Sequence, residues 1–326
     1  MRKLTRLFYL IAILLTQSGL AQTFSFQHIG VEEGLSQSVV NCAVQDNEGV
    51  FWIGTMSGIT RYNGKEFRVF MKEDGLAENW ITSALKDKNG NLWFGHWGGG
   101  VSFYDKQIKV FKDLQLERFS NFKSINSMIE DKNGDIWFGT NGAGVFKYEF
   151  ETNNVISFSE SEGFQSEIVK TMCLDGRGNI WFGTNKGIAV YRAAKKLDDK
   201  NAFMLLSSSD GLASDQVTSL FTLSNNTVVV GTEFSGLTLI SNTADLSNLK
   251  YQNLNTGNGM LSNEVLCVFG EDEENLWIGT RDQGVIRYNT KNATYRQLST
   301  KQGLNYFKVN VIFSGREKNI WIGTDL

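Results

Sequence analysis

Apolar and polar positions alternate in short runs along this chain, and the same pattern returns about every 44 residues. In each unit an apolar run with a period of two ends at an Asp and Gly turn, and a second apolar run begins with Trp. A repeat of this length is typical of a propeller blade or a solenoid unit. The units are centred on Trp52, Trp93, Trp137, Trp181, Val229, Trp277 and Trp321.

The pattern inside each unit predicts four strands. The first run is apolar or small on both faces, as in residues 217–221, which is typical of an inner strand packed between neighbouring blades. The Trp begins the second strand, a third strand ends near a Tyr, and two apolar residues such as Phe67 and Phe70 mark the outer fourth strand. We therefore predict an all-β fold, a seven-bladed β-propeller of four-stranded blades in which the Trp rings pack between blades.

The last blade is predicted to be incomplete. Residues 23–29 match a fourth strand although no blade precedes them, and the chain ends at Leu326 within a second strand. A ring that borrows its last strand from the N-terminal segment closes without an exposed edge. We expect residues 23–29 on the outside of the seventh blade, with its third strand missing, so that the sequence is a fragment of a longer protein. The alternative is an open arc within a larger repeat array.

The first residues read as a signal peptide. Residues 1–21 combine Arg2, Lys3 and Arg6 with nine apolar or aromatic residues at 7–15 and a small-residue site before Gln22. This segment is short of the ~20 apolar residues that span a bilayer. We predict cleavage, export to the periplasm, and a propeller domain at residues 22–326 with no membrane anchor of its own.

Composition excludes several classes. A net charge of -3 and scattered basic residues argue against nucleic acid as a partner. Cys42, Cys173 and Cys267 fall on inner strands, and we expect buried, unreactive thiols. The Asp turns could be read as calcium loops, but the turn recurs without the ligands, so we interpret it as structural. His28 and His96 are the only histidines, and we expect no catalytic residues, no metal and no cofactor.

The repeat resembles the two-component regulator propeller. Its motifs are Gly34-Leu35-Ser36 before the first strand, the Asp turn, and Trp137-Phe138-Gly139-Thr140 with its copies, in seven units across residues 23–326. The sequence departs from the repeat motif at Val229, at Phe119 and in the turns at 223–226 and 314–317. The resemblance implies the periplasmic sensor part of a membrane-bound regulator, with histidine kinase activity in a downstream part absent here. It also implies an inner-membrane location for the full receptor, which we expect to be a homodimer.

These expectations lead to a functional hypothesis. The chain is a periplasmic propeller that binds a small molecule or an oligosaccharide and passes the signal to downstream domains of the same receptor. The alternatives are a secreted propeller enzyme, either a lyase or a glycosidase, and a stand-alone protein-binding scaffold. The chain itself is not expected to be an enzyme.

The candidate ligand contacts are residues that break the repeat on the loops of one face. Trp80 and Trp97 are the two Trp outside the repeat position, and Glu78 and His96 lie beside them in the sequence. Aromatic faces with polar neighbours suit stacking on a sugar ring, a ligand class that the resemblance implies. Alternatively, the two Trp pack on blades or contact missing domains. Secondary candidates on corresponding loops are Phe234, Arg281, Asp282 and Tyr306.

Overall fold

In a computed structural model of the protein, residues 25–115, 123–158, 163–195 and 202–325 are described. The predicted signal peptide, residues 1–21, lies outside this part. The strands of blades 1 to 3 are β1 (Cys42–Gln45), β2 (Phe51–Thr55), β3 (Gly58–Tyr62), β4 (Phe67–Phe70), β5 (Ile81–Lys86), β6 (Leu92–His96), β7 (Val101–Asp105), β8 (Val110–Asp113), β9 (Ile125–Glu130), β10 (Ile136–Thr140), β11 (Val145–Glu149) and β12 (Asn154–Phe158).

The remaining strands continue the same order. They are β13 (Val169–Leu174), β14 (Ile180–Thr184), β15 (Gly187–Tyr191), β16 (Phe203–Leu206), β17 (Val217–Thr222), β18 (Val228–Thr232), β19 (Leu237–Ser241), β20 (Lys250–Leu254), β21 (Val265–Gly270), β22 (Asn275–Thr280), β23 (Val285–Asn289), β24 (Thr294–Leu298), β25 (Val309–Ser314) and β26 (Ile320–Thr324). Short 3-10 helices at Lys72–Asp74, Thr256–Asn258 and Thr300–Gln302 precede blades 2, 6 and 7.

Within the described residues, these strands form six four-stranded antiparallel sheets and one two-stranded sheet. Each four-stranded sheet keeps its strands in chain order, so the first strand is innermost and the fourth is outermost. The prediction of an all-β propeller with four-stranded blades is confirmed, with six complete blades and a partial seventh. No helix in the described ranges has the length and hydropathy of a bilayer-spanning segment.

The turn between the first and second strands holds the repeat Trp. Asp87 Oδ1 accepts a hydrogen bond from Asn91 N at 2.9 Å, and Asp87 Oδ2 accepts one from Trp93 Nε1 at 3.0 Å. The same carboxylate-to-indole bond joins Asp46 to Trp52, Asp131 to Trp137, Asp175 to Trp181 and Glu271 to Trp277. These carboxylates therefore hold the turn and the indole by hydrogen bonds, which is the structural role predicted from the sequence for the Asp turn.

The Trp rings pack between blades, as predicted. Trp52 of blade 1 lies 4.7 Å from the ring centroid of Tyr104 in blade 2, and Trp137 of blade 3 lies 5.2 Å from that of Tyr191 in blade 4. In blade 5, Val229 is equally buried and belongs to an apolar cluster with Leu239 and Leu276. The aromatic rings are thus a main part of the core between blades.

The Gly of the second strand lets inner strands approach closely. A Cβ at Gly54 would lie 2.6 Å from Cys42 Sγ in its own blade and 2.7 Å from Ile81 Cγ2 in the next blade. The same contact with the next blade pairs Gly95 with Ile125, Gly139 with Val169, Gly183 with Val217, Gly231 with Val265, Gly279 with Val309 and Gly323 with Val40. The last pair joins unit 7 to blade 1, so the ring is closed.

Hydrogen bonds complete this seam between unit 7 and blade 1. Val40 N donates to Thr324 O at 3.1 Å, and Asn310 Nδ2 donates to Val40 O at 3.2 Å. Asn126 in blade 3 makes the equivalent bond to Val169 O in blade 4 at 2.9 Å. The seam therefore repeats the contacts found between successive blades, and the open-arc alternative does not fit it.

The predicted strand at residues 23–29 is wrong where the structure describes it. Residues 25–29 form no strand, because the seventh sheet consists of β25 and β26 in the part of the chain that the structure describes, and the outer position has no neighbouring strand there to pair with. Phe26 nevertheless lies where an outer strand would place its aromatic residue. A Cβ at Gly303 would lie 3.1 Å from the Phe26 ring, and a Cβ at Gly34, the equivalent position in blade 1, would meet Phe67 of outer strand β4 in the same way. A cavity of 720 Å³ is lined by residues 25–29 and by β26.

The three cysteines are free, as predicted. Burial raises the pKa of each thiol to about 12, so the thiolate is scarce at neutral pH. Cys42 packs directly against the second-strand Gly54. Their role is to fill space between inner strands.

Candidate functional site

The loops after the second strands lie beside the loops before the first strands of the next blades. Gly58 N donates to Asn79 O at 2.8 Å, and the five following blades repeat this bond. Those repeats run from Gly98 to Lys123, Gly144 to Glu167, Gly187 to Asp215, Gly236 to Asn263 and Gly284 to Phe307. Both sets of loops share one face, as predicted, and we call this continuous band of loops the rim.

Trp80 and Trp97 meet on the rim at blade 2. Their rings stack with centroids 5.0 Å apart and an interplanar angle of 22°, and Trp97 N donates to Trp80 O at 2.9 Å. Trp97 remains 43% exposed although its ring contacts that of Trp80. Each indole thus supports the other, and Trp97 presents aromatic surface to solvent.

Glu78 places a charged pair beside these rings. Its Oε1 lies 2.5 Å from Lys72 Nζ, and the side chains of Lys72 and Glu78 are 55% and 43% exposed. Its Cγ would lie 3.7 Å from a Cβ at Gly98, the residue after Trp97. The hydrogen bond and charge of Glu78 raise the pKa of Lys72. Aromatic surface and a charged pair are therefore combined on one loop cluster.

His96 is not available to a ligand at the surface. It is completely buried, and its Nε2 lies 2.8 Å from Ser102 Oγ, which accepts a hydrogen bond from Ala77 N at 2.9 Å. Burial lowers its pKa to about 4, so the ring is neutral at pH 7. His96 therefore supports the rim loop from within.

The secondary candidates form another group on blades 5 to 7. Arg281 Nε lies 3.1 Å from Glu264 Oε2, and Asp282 Oδ1 accepts a hydrogen bond from Ser262 Oγ at 2.6 Å. The bond from Gly284 to Phe307 joins their loop to the one that carries Tyr306. The ring of Tyr306 stacks on that of Phe307 at 4.4 Å. Arg281, Asp282 and Tyr306 are thus neighbours on the rim.

Phe234 belongs to the same side of the ring. Its side chain is 63% exposed at a cavity of 340 Å³. The cavity is also lined by Asn253, Asn255 and Asn263, whose amides bond to nearby groups. The structure therefore arranges the predicted residues as a blade 2 group and a blade 5 to 7 group.

Sequence reasoning missed two features of these groups. Lys72, the partner of Glu78, lies six residues before it in a 3-10 helix that the repeat pattern does not mark. Phe307 is 43% exposed at a rim position next to the predicted Tyr306. A scan of the sequence for aromatic residues beside each predicted contact would have found Phe307.

Comparison with protein families identifies the class of repeat on this propeller. Residues 34–57, 75–98, 120–142 and 163–186 match the family model described as two component regulator propeller. The chain contains two-component regulator propeller repeats, and the resemblance drawn from the sequence is confirmed. No curated protein sequence matches this chain.

Solved structures share the fold. The extracellular domain of a hybrid two component system from B. thetaiotaomicron is similar at a TM-score of 0.75 and 24% identity, over 89% of this chain and 38% of that one. PorZ, a surface component of the type-IX secretion system of Porphyromonas gingivalis, is similar at a TM-score of 0.67 and 13% identity, over 92% and 47%. This chain thus spans less than half the length of either protein.

A third structure with this fold is that of an enzyme. A catalytically inactive variant of virginiamycin B lyase from Staphylococcus aureus is similar at a TM-score of 0.69 and 14% identity, over 92% of this chain and 95% of that chain. At such identities the similarity concerns the fold alone.

Proposed function

We propose that this chain is the exported, ligand-sensing propeller of a two-component signal-transduction receptor. The repeats are of the two-component regulator type, and a structural neighbour is the extracellular domain of a hybrid two component system. Binding takes place on the rim, in the periplasm, and the signal passes to a downstream kinase in the same receptor. The full receptor is an inner-membrane homodimer.

One observation carries the proposed site: Trp97 exposes 43% of its surface while its ring is supported by Trp80. A supported, partly exposed indole is a rigid platform, so stacking a sugar ring on it costs little conformational entropy. The Glu78 and Lys72 pair beside it offers an acceptor and a donor for ligand hydroxyl groups. The ligand is therefore a neutral or weakly charged small molecule or oligosaccharide with an apolar ring face.

The binding test compares exposed aromatic residues inside and outside the rim. Oligosaccharides and small molecules are screened by calorimetry against the wild-type chain, Trp97→Ala and Tyr295→Ala; Tyr295 is 47% exposed on outer strand β24. We expect Trp97→Ala to weaken binding about tenfold or more, because an aromatic platform contributes ~1.5 kcal/mol. Tyr295→Ala keeps wild-type affinity.

Melting temperature separates binding from packing. If Trp97→Ala lowers the melting temperature but binds the ligand with wild-type affinity, the Trp pair is structural and the proposed rim site is wrong. The signalling part is tested in cells that carry either variant in the chromosomal gene. The transcriptional response to the ligand is expected to be lost with Trp97→Ala and kept with Tyr295→Ala.

The same screen tests the enzyme alternative. Chromatography of each oligosaccharide after incubation with the chain detects cleavage. The fold similarity to a lyase motivates this control, although buried His96 cannot reach a substrate at the surface. Turnover of a glycan that disappears with Trp97→Ala would replace sensing with catalysis on the rim.

A further inference from the structure

Three blades place a cation directly opposite the repeat Trp, on the ladder between the second and third strands. In each case the charged group lies over the indole ring at about 6 Å, which is within cation–π range. The pairs are Arg61 with Trp52, Lys147 with Trp137, and Arg287 with Trp277. These positions permit a comparison between blades in one chain.

Two of the three cations are neutralised. Lys147 Nζ lies 2.7 Å from Asp135 Oδ2, and Arg287 Nε lies 2.8 Å from Glu271 Oε2. For Arg61, the described residues contain no carboxylate oxygen within 4.0 Å of its nitrogens. The partly buried guanidinium of blade 1 thus lacks the counter-charge that its counterparts have.

Two side chains of the turn before the second strand explain the difference. In blade 3, Lys147 pairs with Asp135, and blade 1 has Val50 at that position. In blade 6, Glu271 Oε2 accepts from both Trp277 Nε1 and Arg287 Nε. In blade 1 the same position carries Asp46, one methylene shorter. Its Oδ2 accepts from Trp52 Nε1, and its Oδ1 accepts from two backbone amides. The shorter carboxylate holds the turn and the indole but does not reach Arg61.

A second arginine increases the excess of positive charge beside Arg61. Arg68 on β4 is the direct cross-strand partner of Arg61 on β3, and its guanidinium lies 4.4 Å from the ring centroid of Phe70. Like charges directly opposite on neighbouring strands are destabilising. An oxyanion between them would remove the repulsion and accept several hydrogen bonds, since guanidinium groups bind such anions in a bidentate manner.

The two arginines line a cleft of 220 Å³ between blades 1 and 2. Blade 2 contributes Tyr104, Lys106 and Lys109, while blade 1 also contributes Asp46 and Glu48. Four cations therefore face two carboxylates, and Lys106 Nζ also donates to Asn89 O. The turns that border the cleft connect strands one to two and three to four, so antiparallel order places it on the face opposite the rim.

We propose that this cleft is an oxyanion site, in which Arg61 and Arg68 bind one phosphate, sulfate or carboxylate group and the two lysines border it. The volume fits a single charged group with part of the molecule that carries it, and the walls from Trp52, Phe70 and Tyr104 limit its hydration. The site is independent of the rim and of the ligand proposed there.

The test uses two double variants with the same change in net charge. Arg61→Gln with Arg68→Gln removes the cleft pair, and Arg287→Gln with Arg296→Gln removes the matching cross-strand pair of blade 6, where Glu271 supplies a counter-charge. Inorganic phosphate, sulfate and glucuronate are each titrated into the purified chain by calorimetry, at constant ionic strength maintained with chloride. Comparing the affinities of the three anions shows whether the cleft prefers a phosphate, a sulfate or a carboxylate group.

We expect saturable binding of at least one anion to the wild-type chain, and about tenfold weaker binding or none after the blade 1 change. The blade 6 change leaves binding intact. Equal loss in both variants, or wild-type binding after the blade 1 change, would overturn the site. If the double variant does not fold, Arg68→Gln alone, which keeps Arg61 on Trp52, gives the same readout.

Discussion

At the scale of single residues, the Thr after the second-strand Gly closes the rim loop in blades 1, 3, 4, 5 and 6. Thr140 Oγ1 donates to Gly144 O at 2.9 Å and accepts from Ala143 N at 3.0 Å. His96 is the exception, and its ring bonds to Ser102 instead. The loop that follows contains three glycines with φ near +90°, a conformation that suits Gly and forms here without a Thr cap. A buried His thus replaces a simple hydroxyl under the Trp97 loop.

The presence of His96 in place of Thr predicts that acid lowers the stability of blade 2. Burial lowers the pKa of His96 from 6.5 to about 4, so between these values the unfolded state binds more protons than the folded state. The free energy of unfolding therefore falls as pH decreases from 6.5 to 4, by about 1.4 kcal/mol per pH unit from this group. Replacing His96 with Thr, the residue of the other six units, should flatten this dependence.

Urea unfolding at pH 7 and pH 5 measures the effect. Two neighbouring charges also act on the pKa of His96: Glu78 raises it, and Lys72 lowers it. His28→Thr, which removes the other histidine at an exposed position, is measured in parallel as the control for loss of a His side chain. An identical pH slope in wild type and His96→Thr would show that His96 does not contribute.

The repeat residues were predictable from the sequence because each is fixed by its own unit. Trp137 must pair with a carboxylate six residues earlier and pack on the next blade, and both features recur at a constant spacing. The burial of His96 was not predictable, since a single exception gives no pattern. The stacking of Trp80 on Trp97 depends on two loops meeting in space, which spacing alone does not specify.

At the scale of strands, the second-strand Gly determines how closely blades approach. Inner strands of adjacent blades meet where a side chain would collide with both, as at Gly54. Other blade contacts use large rings that tolerate small shifts, but this one involves Cβ-branched Ile or Val from the next blade. The Gly therefore belongs to the packing between blades as much as to its own strand.

Replacing Gly54 with Ala tests this role. The added Cβ would lie 2.6 Å from Cys42 Sγ and 2.7 Å from Ile81 Cγ2, so we expect a loss of about 2 kcal/mol or more from overpacking. Gly30→Ala is the control, because its Cβ would meet only the end of the Glu33 side chain at 3.3 Å. Thermal unfolding of both variants measures the difference. Equal melting temperatures would contradict the close-packing argument.

The partial seventh blade shows the limit of strand prediction. The apolar pattern at residues 23–29 correctly placed Phe26 at the outer position, where it packs against the cluster of Trp277, Leu298 and Leu304. It did not make residues 25–29 a strand, because a strand needs backbone partners and the described residues place no strand between the outer position and β26. Side-chain pattern and backbone pairing are separate requirements.

At the scale of the whole molecule, the seam between unit 7 and blade 1 differs from the others in one respect. Successive blades are joined by a loop between two paired sheets as well as by contacts. At this seam, β25 and β26 meet blade 1 through contacts, and residues 25–29, which lead into blade 1, pack on unit 7 without pairing as a strand. The contacts with blade 1 include Phe51 with Trp321 at 4.1 Å, Arg316 Nη1 with Asn47 O at 2.7 Å, and Asn310 with Val40 O. Local opening of the ring is therefore expected at the seam first.

Asn310 and Asn126 offer a matched pair for this expectation, because each bonds to the backbone carbonyl of the next inner strand. Asn310→Ala should speed hydrogen exchange at Val40 N, which donates to Thr324 O across the seam, and leave blades 2 to 5 unchanged. Asn126→Ala removes a similar bond where the loop from β12 to β13 still joins the blades, so its effect on exchange should be smaller. Hydrogen exchange followed by mass spectrometry compares the two. Faster exchange between blades 3 and 4 than at the seam would show that a loop between two paired sheets does not decide where this ring opens.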